Sequence, residues 1–271
     1  MNRILTPCSL LACLFLFIPA LSVSAQSVQE ARTGLLQARQ QLNQAVAQWD
    51  IEQMHEARGM FERLLSIKPL QKWTHYYLGY ADYRMSLFYQ PKDRQRARQL
   101  LDRAIEHLKQ AIRLDNRFAE AYALLSSCLG QKIQYEPASA MFLGPQSAKN
   151  MQAALALEPQ NPRVVLLNAL RLFFTPPMFG GSTDKGLAGF RRATELFARF
   201  NAADSLAPDW GHEEAFAWLG LAYQQNSDSA RARQAFDKAL AITPDYRWVK
   251  EILLPNLTKN LQQKHQTKKK N

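Results

Sequence analysis

The fold is decided by residues 213–246, which read EEAFAWLGLAYQQNSDSARARQAFDKALAITPDY. Apolar residues recur at helical spacing on both sides of the polar turn 225–229, so these 34 residues predict a helix pair, with Ser229 as the N-cap of its second helix. Counted from Glu213, small residues at positions 8, 20 and 27 allow close helix approach, and large ones at 4, 7, 11 and 24 fill the space between the helices. A proline at position 32 ends the second helix. In chain order these eight residues are Phe216, Leu219, Gly220, Tyr223, Ala232, Phe236, Ala239 and Pro244.

The pattern resembles the tetratricopeptide repeat (TPR) family at all eight of these signature positions, with Phe216 in place of tryptophan. Weaker copies begin at Ala38, Lys72, Ala119 and Pro162, and the last three carry about 13, nine and five extra residues. The resemblance implies an all-α, right-handed α-solenoid of about five TPR-like helix pairs with insertions. Residues 248–257 read as a C-terminal cap helix. Because each repeat needs a neighbour to cover its apolar face, we expect one domain over residues 26–258.

The first 25 residues predict a signal peptide. Arg3 provides a positive charge, residues 10–21 are apolar, and Val23-Ser24-Ala25 is a typical cleavage site. We therefore expect an exported protein, cleaved near Ala25 and located in the bacterial periplasm or envelope. Retention of this segment as an anchor and lipidation at Cys13 remain open alternatives.

The chain is basic, with 34 Lys and Arg residues against 23 Asp and Glu residues and a net charge of +11. An exported protein seldom meets nucleic acid, so we expect no nucleic-acid partner; the charge favours solubility, an acidic partner or peripheral contact with an anionic envelope surface. Residues 259–271 are polar and basic, and predict a disordered tail. The oligomeric state is left open by the sequence.

The TPR resemblance implies that positions 2, 5, 9, 12 and 13 of each first helix face the concave groove. In the second and fourth repeats these positions are unusually apolar for a surface in contact with solvent. Two interpretations remain open: the insertions bury this groove as core, or it binds a ligand or partner. The candidate binding residues are Trp73, Tyr76, Tyr80, Tyr83, Arg84, Glu120, Ser127, Gln131, Arg163, Leu166, Leu170, Phe173 and Phe174.

The preferred function is a protein-interaction scaffold that binds a protein or peptide segment in this groove. The Lys and Asn residues of the familiar acid-binding TPR clamp are absent from the corresponding positions. The alternative is an accessory subunit of solute uptake that holds a small apolar or amphipathic ligand. The stretch PPMFGGSTDKGLAGF, from Pro176, resembles a turn in the periplasmic TPR-like T component associated with TRAP transporters.

Catalytic motifs are lacking, and we expect neither an enzyme nor a cofactor or metal. The five histidines are scattered, and His212-Glu213-Glu214 lacks the second histidine of a zinc helix. Cys128 is expected to be a small buried side chain. The basic run that includes Lys92, Arg94 and Arg98 predicts a solvated helix face or a contact with an anionic partner.

Overall fold

The computed structural model describes the backbone of residues 18–270 and the side chains of residues 26–262. This part of the chain contains eleven α-helices and no strand. In chain order they are α1 (Ile18–Gln48), α2 (Ile51–Glu62), α3 (Gln71–Tyr89), α4 (Arg94–Leu114), α5 (Ala119–Tyr135), α6 (Ala140–Leu157), α7 (Pro162–Phe174), α8 (Thr183–Phe197), α9 (His212–Gln225), α10 (Ser229–Ile242) and α11 (Leu254–Lys270).

The first ten helices form five consecutive pairs, each packed most extensively within itself and then against its neighbour. This arrangement confirms the predicted all-α solenoid of five TPR-like helix pairs. A turn of π-helix at Trp248–Leu253 leads into α11, which packs on α10 as the predicted cap. The structure continues α11 through residues 259–270, where the sequence predicted a disordered tail.

Small residues at position 8 set the spacing within the pairs. A Cβ atom built on Gly220 would lie 2.4 Å from Cε1 of Phe236, and one on Gly79 would lie 2.7 Å from Cγ of Leu108. Phe236 and Leu108 are fully buried, so neither side chain has free space into which it could move. The glycine therefore places the two helices at a distance that no larger residue permits.

The extra residues of the second and third repeats lengthen their helices. Helices α3 and α4 have 19 and 21 residues, against 14 each in α9 and α10. The N-cap of α10 is Asp228, whose carboxylate accepts the backbone N–H of Arg231 at 3.0 Å; the prediction of Ser229 was wrong by one residue. Residues 1–17, which hold most of the predicted signal, lie outside the described part of the chain.

One connection does fold back into the concave face. Residues 198–211 join α8 to α9, and we call them the plug segment. Leu206 and Trp210 of this segment are 0% and 4% exposed. The indole of Trp210 stacks on the ring of Tyr80 with centroids 4.7 Å apart and an interplanar angle of 11°, and its Nε1–H donates to the Tyr76 hydroxyl at 3.1 Å.

The backbone of the plug segment is bound by side chains of two early helices. Arg39 of α1 donates to the carbonyls of Ser205 and Ala207, both at 2.7 Å, and forms an ion pair with Asp209 at 3.0 Å. The Tyr77 hydroxyl of α3 donates to the carbonyl of Leu206 at 2.7 Å. Because these carbonyls have buried or half-buried partners, the segment is held as a defined part of the core.

We predict that Gly220→Ala lowers the free energy of unfolding by about 1–3 kcal/mol, because the added methyl group overpacks the contact with Phe236. The matched control is Gly130→Ala in α5, where nothing lies within 4 Å of the added Cβ. There the better helix propensity of alanine raises the free energy of unfolding by about 0.5–1 kcal/mol. Urea denaturation of both variants measures the difference, and equal changes would contradict the close approach.

We predict that Trp210→Ala lowers the free energy of unfolding by about 3–5 kcal/mol, because it empties the space against Tyr80. Trp210→Phe keeps an aromatic ring on Tyr80 but loses the hydrogen bond to Tyr76, so its cost is smaller, about 1–2 kcal/mol. Urea midpoints of the two variants test this order. A Trp210→Ala protein as stable as the parent would show that the plug segment contributes nothing to the core.

Candidate functional site

The groove predicted from the sequence is filled by the chain itself. Tyr76 and Tyr80 are 0% and 2% exposed, and both contact Trp210 of the plug segment. Arg84 is also buried and pairs with Glu214 of α9 at 3.0 Å. The interpretation of these residues as a solvent-facing binding groove was therefore wrong; they are core, but the predicted insertions are not what buries them. The segment that covers them lies between the fourth and fifth repeats.

The other predicted groove residues have structural partners as well. Trp73 packs edge-on against Phe118 with centroids 5.0 Å apart. Arg163 is 1% exposed and pairs with Glu120 at 3.5 Å, and its Nη1–H donates to the carbonyl of Trp210 at 3.3 Å. Of the thirteen predicted residues, Leu166 and Phe173 are also buried, Tyr83, Ser127, Gln131 and Leu170 are half-buried, and Phe174 is 51% exposed.

An open cleft remains where the first repeat meets the end of the last one. Its volume is about 850 Å³, within the range of small-molecule sites in proteins. The α1–α2 turn and the C-terminal end of α3 form one side, and α9 with residues 246–252 forms the other. We call this site the aromatic cleft because five aromatic side chains line it: Trp49, Phe88, Trp218, Tyr246 and Trp248.

The aromatic residues form a pair on each side. Trp49 and Phe88 have centroids 5.8 Å apart, and Trp218 and Trp248 have centroids 4.7 Å apart. Trp49 has a φ of +56°, a left-handed conformation that is unfavourable for a bulky residue. This conformation ends α1, because the N–H groups of Trp49 and Asp50 donate to the carbonyls of Val46 and Ala45. The sequence thus keeps a tryptophan at a position where glycine would fit the backbone better.

Charged groups stand beside these rings. The Lys92 ammonium lies 4.4 Å from the centroid of Phe88 and has no ion pair among the described residues. Arg84 uses Nη1 for Glu214, but its buried Nε–H has no hydrogen-bond partner. Arg247 is neutralised by Glu251 at 2.6 Å. The cleft thus offers apolar walls together with the ammonium of Lys92, which is not ion-paired with any described residue.

Of the thirteen candidate binding residues only Arg84 lines this cleft, and Lys92 of the basic run lies there as well. Trp49 occupies position 12 of the first repeat, a groove position that was not among the candidates, whereas Trp218 occupies position 6 of the fifth repeat and Trp248 follows the last repeat. Their one common signal is a large aromatic residue where the TPR pattern requires none. That signal could have marked each residue as unusual. It could not show that these residues line one cleft, because their proximity depends on the three-dimensional course of the solenoid.

The remaining sequence motifs have structural roles. The stretch from Pro176 forms a tight turn in which Gly180 has a φ of +86°, and Ser182 caps α8 by accepting the N–H of Lys185 at 3.2 Å. Cys128 is fully buried, and burial raises the pKa of its thiol. Among the described side chains, no group of three or more His, Cys, Asp or Glu residues could hold a metal ion. None of the described helices is long and apolar enough to cross a membrane.

Three histidines on α2, α3 and α4 are half-buried: His75 and His107 form a close pair, and His55 lies apart from them beside Tyr89. The Nδ1 atoms of His75 and His107 are 3.0 Å apart, and His55 lies 3.2 Å from Nη2 of Arg96. Burial lowers the pKa of all three imidazoles below the ordinary value of 6.5, and Arg96 adds to this effect at His55 and Arg113 at His75. The folded protein therefore binds fewer protons here than the unfolded chain does in mild acid.

We predict that the free energy of unfolding falls as the pH is lowered from about 7 to about 5.5, because the unfolded chain takes up protons that the folded histidines resist. The stabilising effect of these neutral histidines is present above the unfolded pKa and is lost as the pH falls through the lower folded values. A double variant, His75→Gln with His107→Gln, should show a shallower pH dependence in urea denaturation. An unchanged slope would exclude the pair as its source.

Comparisons with known proteins agree with this architecture. Residues 213–246 match the family model described as tetratricopeptide repeat. No curated protein matches the chain. Two solved structures are similar in fold, the HusA haemophore from Porphyromonas gingivalis and TTC0263, a thermophilic TPR protein in Thermus thermophilus.

HusA is 24% identical with a TM-score of 0.57, and the match covers 68% of this chain and 92% of that one. TTC0263 is 17% identical with a TM-score of 0.56, and the match covers 83% and 98% of the two chains. At these identities the likeness concerns the fold alone. Together with the match at residues 213–246, it supports a tetratricopeptide repeat protein.

Proposed function

We propose that this chain is a non-enzymatic TPR scaffold that holds a segment of a protein partner in the aromatic cleft. TPR-like folds commonly serve as interaction scaffolds, and the described chain presents one large cleft with partly exposed rings. The proposal also includes export, based on the apolar residues 10–21 and the small-residue site Val23-Ser24-Ala25. The scaffold would then act in the periplasm or envelope.

The observation that carries this proposal is the exposure of the paired rings: Trp49, Phe88, Trp218 and Trp248 are each only half-buried. A left-handed backbone at a tryptophan costs of order 1 kcal/mol or more, and glycine would avoid that cost. The end of α1 accounts for the backbone conformation, since the N–H groups of Trp49 and Asp50 donate to carbonyls of its last turn. It does not account for the half-buried ring, which contacts Phe88 at the wall of the cleft and which a bound partner would cover fully.

The cleft defines the chemistry of the partner segment. Paired rings on both sides favour an apolar or aromatic side chain inserted between them. The ammonium of Lys92 favours a carboxylate beside that side chain. A segment that carries an aromatic residue next to an acidic one fits both requirements.

We predict that Trp49→Gly abolishes partner capture with little loss of stability. Removal of backbone strain offsets the lost contact with Phe88, so the free energy of unfolding should change by no more than about 1 kcal/mol. Capture is measured by affinity purification of the full chain from its own envelope, followed by mass spectrometry. Trp248→Ala, on the opposite wall, should reduce capture in the same way.

Two variants serve as controls for this experiment. Trp49→Phe keeps an aromatic ring in the cleft and should retain most of the capture. Phe200→Ala removes a half-buried ring outside the cleft and should leave capture unchanged. If Trp49→Gly and Trp248→Ala both capture the same partner as the parent protein, the cleft is not the binding site.

A second candidate function is the capture of a small planar molecule. The volume and paired rings of the cleft suit such a ligand, and HusA, one of the solved structures with a similar fold, is described as a haemophore. The residues that line the cleft include no His, Met or Cys. Burial raises the pKa of the Tyr246 phenol well above its ordinary value, so this group stays protonated. A tetrapyrrole would therefore be held by stacking and by its carboxylates.

Titration of the purified chain with haem and with metal-free porphyrin distinguishes the two candidates. If the cleft holds a tetrapyrrole by stacking, both compounds should quench tryptophan fluorescence with similar affinity, and Trp49→Gly should weaken both. Absence of quenching by either compound would exclude this second function and leave the scaffold proposal standing.

A further inference from the structure

A second surface, apart from the cleft, projects large apolar side chains into solvent. Met141 and Phe142 at the start of α6 are 79% and 70% exposed. Met178 and Phe179 in the α7–α8 turn are 82% and 67% exposed. Side chains of this size are rarely so exposed in a soluble protein without a partner.

The topology places both pairs on one edge of the solenoid. Helices α5 and α7 occupy equivalent positions in consecutive repeats, and they pack against each other. Each is followed by the turn to its second helix, so the α5–α6 and α7–α8 turns lie side by side. The ion pair between Arg98 and Glu136 joins the N-terminal part of α4 to the same edge.

Basic residues surround these apolar tips. Residues 93–98, 132–142 and 175–185 contain five Lys or Arg residues against three Asp or Glu residues, and of the five Lys132 is paired with Asp102. Arg94 and Lys185 are exposed and form no ion pair with other described residues. Two of the acidic residues are already engaged, since Asp93 caps α4 and Glu136 pairs with Arg98.

We infer that this edge, which we call the membrane edge, docks the protein peripherally on an anionic lipid bilayer. Exposed Phe and Met side chains on narrow turns can insert below the headgroups, while flanking cations contact anionic lipids. A protein partner would require a broad complementary surface of about 800 Å². Side chains exposed by two-thirds or more form separate projections instead of such a surface. The inference does not depend on what the cleft holds.

The test is sedimentation of the mature chain with vesicles. One set contains phosphatidylcholine alone, and the other also contains phosphatidylglycerol. We expect binding to the anionic vesicles, with a marked decrease at high salt because the cations are exposed. We expect little binding to the uncharged vesicles.

Two variants separate the apolar and ionic contributions to vesicle binding. Replacement of Phe142 and Phe179 by serine should weaken binding to the anionic vesicles at least about tenfold, because two inserted rings are lost. Arg94→Gln combined with Lys185→Gln should weaken it several-fold, roughly as expected for two lost lipid contacts. All four positions are exposed, so circular dichroism should show an unchanged fold.

The matched control is Leu114→Ser, which removes a 49% exposed apolar side chain from the C-terminal end of α4, on the opposite edge. It should bind the anionic vesicles as the parent protein does. The inference is overturned if the parent chain fails to bind them, or if the Phe142 and Phe179 variant binds them equally well. It is also overturned if the parent is a dimer that this variant converts to a monomer, since a second copy would then cover the edge.

Discussion

The stack of Trp210 on Tyr80 is the contact that organises this molecule. Solenoids ordinarily contain contacts only between neighbouring repeats, and their concave face stays open. Here the plug segment inserts an indole into that face and binds α1, α3 and α7 together. The first and fourth repeats are thereby held in one unit, and the curvature of the solenoid is fixed by side chains at its centre.

The position of the cleft follows from this filled centre. Since the usual TPR binding face is occupied, the large opening described above lies instead where the α1–α2 turn approaches the end of the last repeat. The aromatic residues at this opening come from segments far apart in sequence. Their half-buried, paired rings distinguish this opening from an ordinary surface depression. The exposed Met and Phe residues occupy a different edge.

The sequence was sufficient to predict the helix pairs, because the signals involved are local. Gly220 and Phe236 stand in one repeat, and their spacing alone implies close packing. The binding face could not be predicted in the same way. Tyr76 and Tyr80 occupy positions that face the groove in an open solenoid, and only the path of residues 198–211 shows that they are buried. Trp49 occupies a groove position of the first repeat, but its place in the cleft depends on neighbours from other repeats.

The hydrogen bonds of Arg39 to Ser205 and Ala207 span 166 and 168 residues. During synthesis the first helix therefore emerges long before the backbone that completes its surroundings. Contacts of such high sequence separation slow folding, because a long loop must be closed before they form. The early repeats can form their helices locally. Their concave side remains hydrated and loosely packed until Trp210 has been synthesised. A chain of this design reaches its native state only after nearly all of it has been made, and this delay suits the proposed export, since translocation requires a flexible polypeptide.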